Sequence, residues 1–220
     1  MYNSIYDVVT GPLAWFGWAV FILGSLYRMA SLYSEAKKKD VSSLAYVKAS
    51  YGFNSIMHWI TPFATLGWKS NPAMTVATFA FHICLLAVPV FLGAHIDLWY
   101  QWFGVSWVAL PDTVADTMTV LVILAAAFFA YRRIAVKEVA FLTTWKDWMT
   151  LIIAVAPFLT GFLAYHQILN YQFMIVLHVI TGVAWLVFIP FGRLSHAILG
   201  WYSRVYIGSE FQGVRHCNDW

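Results

Sequence analysis

Two histidines, His178 and His196, lie near the ends of one long apolar run. They are 18 residues apart, about five full turns of an α-helix, so one continuous helix would place both imidazoles on the same face. The rise over that distance is roughly 27 Å, close to the thickness of a bilayer core. Because an imidazole away from water needs a partner, the pattern predicts either two ligand positions at two depths or two hydrogen bonds to neighbouring helices.

A second apolar segment carries His82 and His95. Since this segment and the one with His178 and His196 are expected to cross a membrane in opposite directions, His95 would lie level with His178 and His82 level with His196. Two histidine pairs at two depths are what two b haems with bis-histidine ligation require. We therefore predict that His82 and His196 bind an inner haem iron and that His95 and His178 bind an outer one.

One detail conflicts with this arrangement. His82 and His95 are 13 residues apart, so on a straight helix they point about 140° away from each other. Pro89 lies between them, and a proline kink or a local unwinding would re-aim one of the two rings. Without such a change, one haem has a different ligand or is absent; His166, at the outer end of the fourth apolar segment, is then the next candidate.

Two arginines are further candidate cofactor ligands. Arg28 and Arg193 follow the apolar parts of the first and fifth segments, where a guanidinium can pair with the propionates of a buried haem. The alternative is that both are ordinary cationic anchors at the inner face of a membrane.

The composition indicates an integral membrane protein. Of 220 residues, 61% are hydrophobic and only 10% are charged, whereas about 25% are charged in a typical soluble domain. Cys84 and Cys217 lie in a predicted span and in the tail, so they predict no disulfide framework. We predict one all-α domain over residues 1–220, a bundle of five transmembrane helices with an interfacial helical segment at 41–71 and an aromatic loop at 97–112. The predicted spans are roughly 8–30, 72–97, 113–132, 147–166 and 172–194.

The distribution of charge predicts the orientation. If the N-terminus is outside, the inner side receives all 13 lysines and arginines, and the outer side receives only aspartates. Positive residues are retained on the cytoplasmic side during insertion, which predicts an external N-terminus and a cytoplasmic C-terminus in a bacterial inner membrane. The same rule accounts for the net positive charge without a nucleic-acid partner.

Several stretches resemble a known family. Residues 19–28, Phe81-His82-Ile83 and residues 188–196, which contain Pro190-Phe191-Gly-Arg193, are similar to the gamma subunit of respiratory nitrate reductase, NarI. Residues 133–139, 142–144 and 156–164 more strongly resemble the HmcE and TmcC type membrane subunits of redox complexes of sulfate reducers.

The resemblance implies a dihaem cytochrome b subunit that is not catalytic alone. It would carry electrons across the membrane between the menaquinone pool or an extracytoplasmic multihaem cytochrome c and a cytoplasmic iron–sulfur subunit, beside a second membrane subunit. Menaquinone is then a further candidate cofactor, and the polar residues near its outer site would be Gly93, His95, Asp97, Asp112 and Asp116.

Two alternatives remain open at this stage. One is a quinone-binding membrane anchor with one haem or none. The other is a transporter or proton channel that uses intramembrane histidines. The second is less favoured, because no predicted span carries the acidic or basic residue at mid-membrane that coupling usually needs.

Overall fold

Five of the apolar runs form long helices in the computed structural model, which describes residues 2–217 and all of their side chains except those of residues 2, 3, 42 and 43. Each of these helices has at least 20 residues and is apolar enough to cross a bilayer. No strand occurs among the described residues. The predicted all-α fold with five transmembrane helices is therefore confirmed, and the chain is a multi-pass membrane protein whose helices contact lipid. The five helices are Ser4–Lys39, Pro72–Phe91, Asp112–Ala135, Trp145–Tyr165 and Tyr171–Phe191.

Short helices and irregular turns connect the long ones. A π-helical turn at Val9–Leu13, which contains Pro12, joins the helices Tyr2–Val8 and Ala14–Lys39 within the first spanning helix. The segment between the first two spans, predicted as interfacial, forms three short helices. The α-helices in chain order are α1 (Tyr2–Val8), α2 (Ala14–Lys39), α3 (Val41–Ala45), α4 (Ala49–Ile60), α5 (Leu66–Ser70), α6 (Pro72–Phe91), α7 (Gly93–Phe103), α8 (Asp112–Ala135), α9 (Lys137–Leu142), α10 (Trp145–Tyr165), α11 (Tyr171–Phe191) and α12 (His196–Gly208).

The first spanning helix is longer than predicted. The predicted first span ends near residue 30, but α2 continues to Lys39. Three lysines occupy the last turn of α2, where positive charge interacts favourably with the negative end of the helix dipole. The charged residues therefore extend the helix beyond its apolar part rather than ending it.

The second span is shorter than predicted and is followed by a helix where a loop was expected. α6 ends at Phe91, and Leu92 has an extended backbone (φ −73°, ψ 129°). Part of the predicted aromatic loop at 97–112 is helical, because α7 runs to Phe103. Gly104 follows the last helical residue, and its left-handed backbone conformation (φ 68°) is one that favours glycine.

The fifth span also ends early. α11 stops at Phe191, and the next residue, Gly192, has an extended backbone (φ −97°, ψ −169°). Pro190 has no N–H to donate and glycine is a weak helix former, so both favour an end here. A 3-10 turn follows, and His196 begins α12. The prediction that His178 and His196 share one face of one continuous helix is therefore wrong.

The backbone forms two compact units, one of residues 3–75 and 182–217 and the other of residues 76–181. In the first unit, glycines bring helices into close contact. A Cβ added at Gly52 would lie 2.9 Å from Val205 Cγ2, and one added at Gly208 would lie 2.6 Å from the Tyr51 carbonyl oxygen. Only residues without side chains permit α4 and α12 to approach this closely.

In the second unit, α8 and α10 pack through small buried residues, which include Ala115, Ala126 and Ala154. Asp147 lies in the first turn of α10 and accepts hydrogen bonds from both the backbone N–H and the hydroxyl of Thr144, the residue before the helix (2.9 and 2.7 Å). Its other oxygen lies 3.3 Å from Arg133 Nη1 at the end of α8. This buried carboxylate therefore caps one helix and ties it to its neighbour. The prediction of a single domain stays a prediction.

Candidate paired-histidine site

The structure brings two of the predicted ligands together. The rings of His95, on α7, and His178, on α11, have centroids 6.0 Å apart and planes that differ by 8°. An imidazole nitrogen lies about 1.1 Å from its ring centroid and binds a metal ion at about 2.0 Å, so two imidazoles on opposite sides of one ion have centroids about 6 Å apart. The observed separation is close to this value.

Hydrogen bonds define which nitrogen of each ring is available. His95 Nδ1 lies 2.9 Å from the carbonyl oxygen of Pro89, and His178 Nδ1 lies 2.8 Å from that of Pro157. A carbonyl oxygen only accepts, so Nδ1 carries the proton in each neutral ring and Nε2 has the lone pair. Metal-binding histidines commonly donate their second ring N–H in this way, which fixes the ring and raises its basicity.

The break after α6 accounts for the position of His95. On an unbroken helix it would point away from the face of His82, but the extended Leu92 interrupts the helix and α7 starts at Gly93. The break leaves carbonyl groups at the end of α6 that need donors. These groups are Pro89, which accepts from His95 Nδ1, Val90, which accepts from Trp107 Nε1 at 2.9 Å, and Phe91, which accepts from the Leu110 N–H at 2.9 Å.

His178 reaches its carbonyl because a glycine leaves the space open. A Cβ at Gly161 would lie 2.9 Å from His178 Cε1 and 3.0 Å from its Nδ1. Gly161 is one helical turn beyond Pro157 on α10, so it lies beside the carbonyl that the ring contacts. Nearby, the hydroxyls of Thr160 and Thr181 are 3.2 Å apart and form a second contact between α10 and α11.

The other two predicted ligands show the same local pattern. His82 Nδ1 lies 2.7 Å from the Thr78 carbonyl oxygen on a half-buried part of α6. His196 Nδ1 lies 3.0 Å from the Arg193 carbonyl oxygen at the exposed start of α12. The two residues belong to different compact units. Their predicted pairing on an inner haem therefore stays a prediction.

The arginines predicted to contact propionates, Arg28 and Arg193, are both exposed, on α2 and on the 3-10 turn after α11. Their contact with a cofactor also stays a prediction.

One group of polar residues was not predicted as a pair. Asp116 Oδ2, on α8, lies 3.2 Å from His166 Nε2, directly after α10, and both side chains are partly exposed. The sequence indicated them separately, Asp116 among the polar residues of an outer quinone site and His166 as the next candidate haem ligand. The available signal was topological, because the start of one span and the end of the next lie at the same side of a membrane.

The donor set of the paired histidines fits a haem. Across the described residues, no group of three or more histidine, cysteine or acidic side chains is arranged to hold a metal ion. Two imidazoles are the number that an iron ion needs when a porphyrin already supplies four nitrogens. His95 and His178 are therefore suited to be axial ligands.

The fold and this site define the class: an all-α membrane protein with five spanning helices and a pair of histidines whose parallel rings lie 6.0 Å apart. The chain is 39% identical over 212 residues to a protein of Nitratidesulfovibrio vulgaris (strain Hildenborough), and the match covers 94% of this chain and 93% of that protein. It belongs to the same family as that protein, whose name states no activity. No protein-family model matches the chain, and no solved structure matches it.

Proposed function

We propose that this protein is a NarI-like dihaem cytochrome b, the membrane subunit of a respiratory redox complex. It carries electrons across the membrane between the menaquinone pool or an extracytoplasmic multihaem cytochrome c and a cytoplasmic iron–sulfur subunit. Substrate chemistry takes place on the partner subunits. The observation that carries the proposal is the facing pair His95 and His178, each with Nδ1 held by a backbone carbonyl.

The residues of this pair perform three tasks in the proposal. The two Nε2 atoms would hold the iron of the outer haem, the proline carbonyls fix both rings, and the surrounding apolar helices limit access of water. When bound, a b haem supplies a reversible one-electron couple of its iron. His82 and His196 bind the inner haem in the same proposal, and Arg28 and Arg193 pair with propionates.

The direction across the membrane is also part of the proposal. All 13 lysines and arginines belong to segments that the topology assigns to one side, which favours an external N-terminus and a cytoplasmic C-terminus. His95 and His178 then lie near the outer face, and the lysines at the end of α2 lie inside. The bacterial inner membrane is the location that this charge rule favours.

The experiment is a dithionite-reduced minus oxidised spectrum of the purified protein with pyridine haemochrome quantitation. The variant is His95→Ala, and the matched control is His58→Ala, which removes a histidine of α4 outside the proposed ligand set. We expect two b haems in the wild type and the control and about one in His95→Ala. Two haems in His95→Ala would assign the fourth ligand elsewhere. A wild-type protein without haem would end the cytochrome proposal and favour the quinone-binding anchor.

A further inference from the structure

We propose that the connection between α8 and α10 binds anionic phospholipid of the bilayer, with its cations on the headgroup phosphate and its apolar side chains among the acyl chains. We call residues 132–147 the lipid anchor. This inference goes beyond the proposed function and does not depend on haem, because it uses only two spanning helices and the nine residues, 136–144, that join them.

The lipid anchor exposes large apolar side chains where two spans end. Phe141 is 90% exposed, Leu142 is 74% exposed and Trp145 is 67% exposed. Because α8 ends at Ala135 and α10 begins at Trp145, these side chains lie where the hydrocarbon core of a bilayer meets the headgroups. A contiguous apolar patch of this kind marks a surface that lipid or another protein covers.

The membrane-facing side of α8 continues into the lipid anchor. Exposed apolar residues recur along α8 at intervals of three, seven and three residues, so they lie along one side of the helix. Lipid covers this side at the middle of the span, and the last two of these residues bring it to the connection with α10. The occupant that this continuity favours is lipid. The residues are Leu121, Leu124, Tyr131 and Ile134.

Positive charge surrounds the apolar patch. The lipid anchor contains four cationic and two acidic residues. Arg133 Nη1 and Asp147 Oδ1 are 3.3 Å apart and neutralise each other, which leaves three cations and one carboxylate, that of Glu138. A lysine or arginine near a membrane surface attracts anionic lipid, and basic pockets beside spanning helices bind anionic headgroups. The three cations are Arg132, Lys137 and Lys146.

The ion pair brings two of these cations to one place. The contact between Arg133 and Asp147 holds the end of α8 against the start of α10. Arg132 and Lys146 are their neighbours in the chain, so both lie at this junction. Lys146 Nζ is 5.8 Å from the centroid of the exposed Trp145 ring, which places an ammonium group beside an apolar side chain. A phospholipid at the junction therefore meets cations and an aromatic ring together.

A protein subunit is the other class of occupant for a basic, apolar surface. The connection is short, because its helix α9 has only six residues, a length of roughly 9 Å. Both of its ends are joined to spans, so the exposed side chains stay close to the membrane surface. The short connection and its continuity with the lipid-covered side of α8 favour lipid.

The first experiment is native mass spectrometry of the full chain in detergent, titrated with phosphatidylglycerol or phosphatidylcholine of identical acyl chains. The test variant carries Lys137→Gln and Lys146→Gln. The matched control carries Lys37→Gln and Lys38→Gln, which removes the same charge from two exposed lysines near the end of α2. The helical circular dichroism of each variant is measured first.

We expect the wild type to bind phosphatidylglycerol at least about tenfold more tightly than phosphatidylcholine, since each cation near an anionic group strengthens binding about fivefold. This ratio falls at least about fivefold in the test variant and stays within about twofold of the wild-type value in the control. High salt lowers the wild-type ratio, because it screens the cations.

The second experiment locates the apolar side chains. Phe141→Cys is spin-labelled in a background of Cys84→Ala and Cys217→Ser and reconstituted in vesicles of phosphatidylcholine and phosphatidylglycerol. Collisions of the label with oxygen, which concentrates in the bilayer, are compared with collisions with a water-soluble nickel chelate. We expect oxygen to dominate at position 141 and the chelate to dominate in the control Lys38→Cys.

The inference is wrong if the wild type binds both lipids equally or if the test variant keeps the preference. It is also wrong if the lysine control loses as much preference as the test variant. A label at position 141 that meets the chelate more than oxygen would place the patch in water, as docking of a protein requires, and would overturn the lipid anchor. None of these measurements depends on haem content, so the spectrum that tests the proposed function is a separate result.

Discussion

The contact between Gly161 and His178 gives the sharpest prediction. We expect Gly161→Ala to displace the His178 ring from the Pro157 carbonyl. The added Cβ would lie 2.9 Å from Cε1 and 3.0 Å from Nδ1 of the ring. Both separations are too short for carbon–carbon and carbon–nitrogen contacts, which are optimal near 3.5–4.0 Å. The ring must therefore move by more than half an ångström, away from an acceptor that is now 2.8 Å from Nδ1.

The expected change in the free energy of unfolding combines one stabilising and two destabilising effects, and a separate effect acts on haem affinity. Alanine in a helix interior is favoured over glycine by about 1 kcal/mol, whereas overpacking costs about 1–3 kcal/mol and the lost hydrogen bond about 0.5–1.5 kcal/mol. The expected net destabilisation is about 0.5–3.5 kcal/mol. Loss of the hydrogen bond that orients a metal-binding histidine typically lowers metal affinity about 10–100-fold.

The assay has two parts, thermal unfolding in detergent and retention of haem. The matched control is Gly11→Ala, a glycine of the first spanning helix at which a Cβ would have no atom within 4 Å. We expect Gly161→Ala to unfold at a lower temperature and to lose one of two haems at micromolar protein, and the control to retain both. An unchanged melting temperature in Gly161→Ala would refute the packing argument. Full haem retention at the wild-type affinity would refute the role of the Pro157 carbonyl.

Three further substitutions test the local structure, each by thermal or denaturant unfolding against the exposed control Glu35→Gln, which should change stability by less than about 0.5 kcal/mol. Trp107→Phe removes the donor to the Val90 carbonyl at the end of α6 and should cost about 1 kcal/mol; no change would show that the indole does not cap the helix. Asp147→Ala removes a helix cap together with a buried partner of an arginine and should cost about 2–4 kcal/mol, and a cost near zero would contradict its assignment as a cap. Gly208→Ala places a Cβ 2.6 Å from a backbone oxygen of α4 and should cost at least about 2 kcal/mol, a result that a tolerated alanine would disprove.

The spans could be predicted from sequence because their signal is local. Each is a run of apolar residues longer than a bilayer core requires, and no tertiary contact is needed to recognise it. The residues at which the helices end were harder to predict. Apolar residues continue past Phe91 in the sequence. The groups that donate hydrogen bonds to the last carbonyls of α6 belong to Trp107 and Leu110, which follow α7 along the chain. The break after α6 therefore depends on contacts that no local pattern contains.

The histidine site was likewise predictable from sequence only in part. Histidines in apolar segments were identifiable by residue type, and the conflict between His82 and His95 pointed to an irregularity near Pro89. The argument from spacing failed for His178 and His196, because it assumed a straight helix through Gly192. The pair of Asp116 and His166 was missed for a different reason. The sequence indicated a separate role for each residue, and no local pattern shows that the two side chains lie 3.2 Å apart.

A local signal for the acceptors of the paired histidines is nevertheless present in the sequence. Pro89 is followed by Gly93 and Pro157 by Gly161, in each case after four residues. The residue four positions after a helical proline normally flanks the proline's carbonyl with its own Cβ, and glycine leaves that side open. At Gly93 the helix restarts, so the Pro89 carbonyl is left for the His95 ring, whereas at Gly161 the helix continues and the His178 ring occupies the space of the missing Cβ. The rings of His95 on α7 and His178 on α11 are thus held at the same kind of proline carbonyl in two backbone settings.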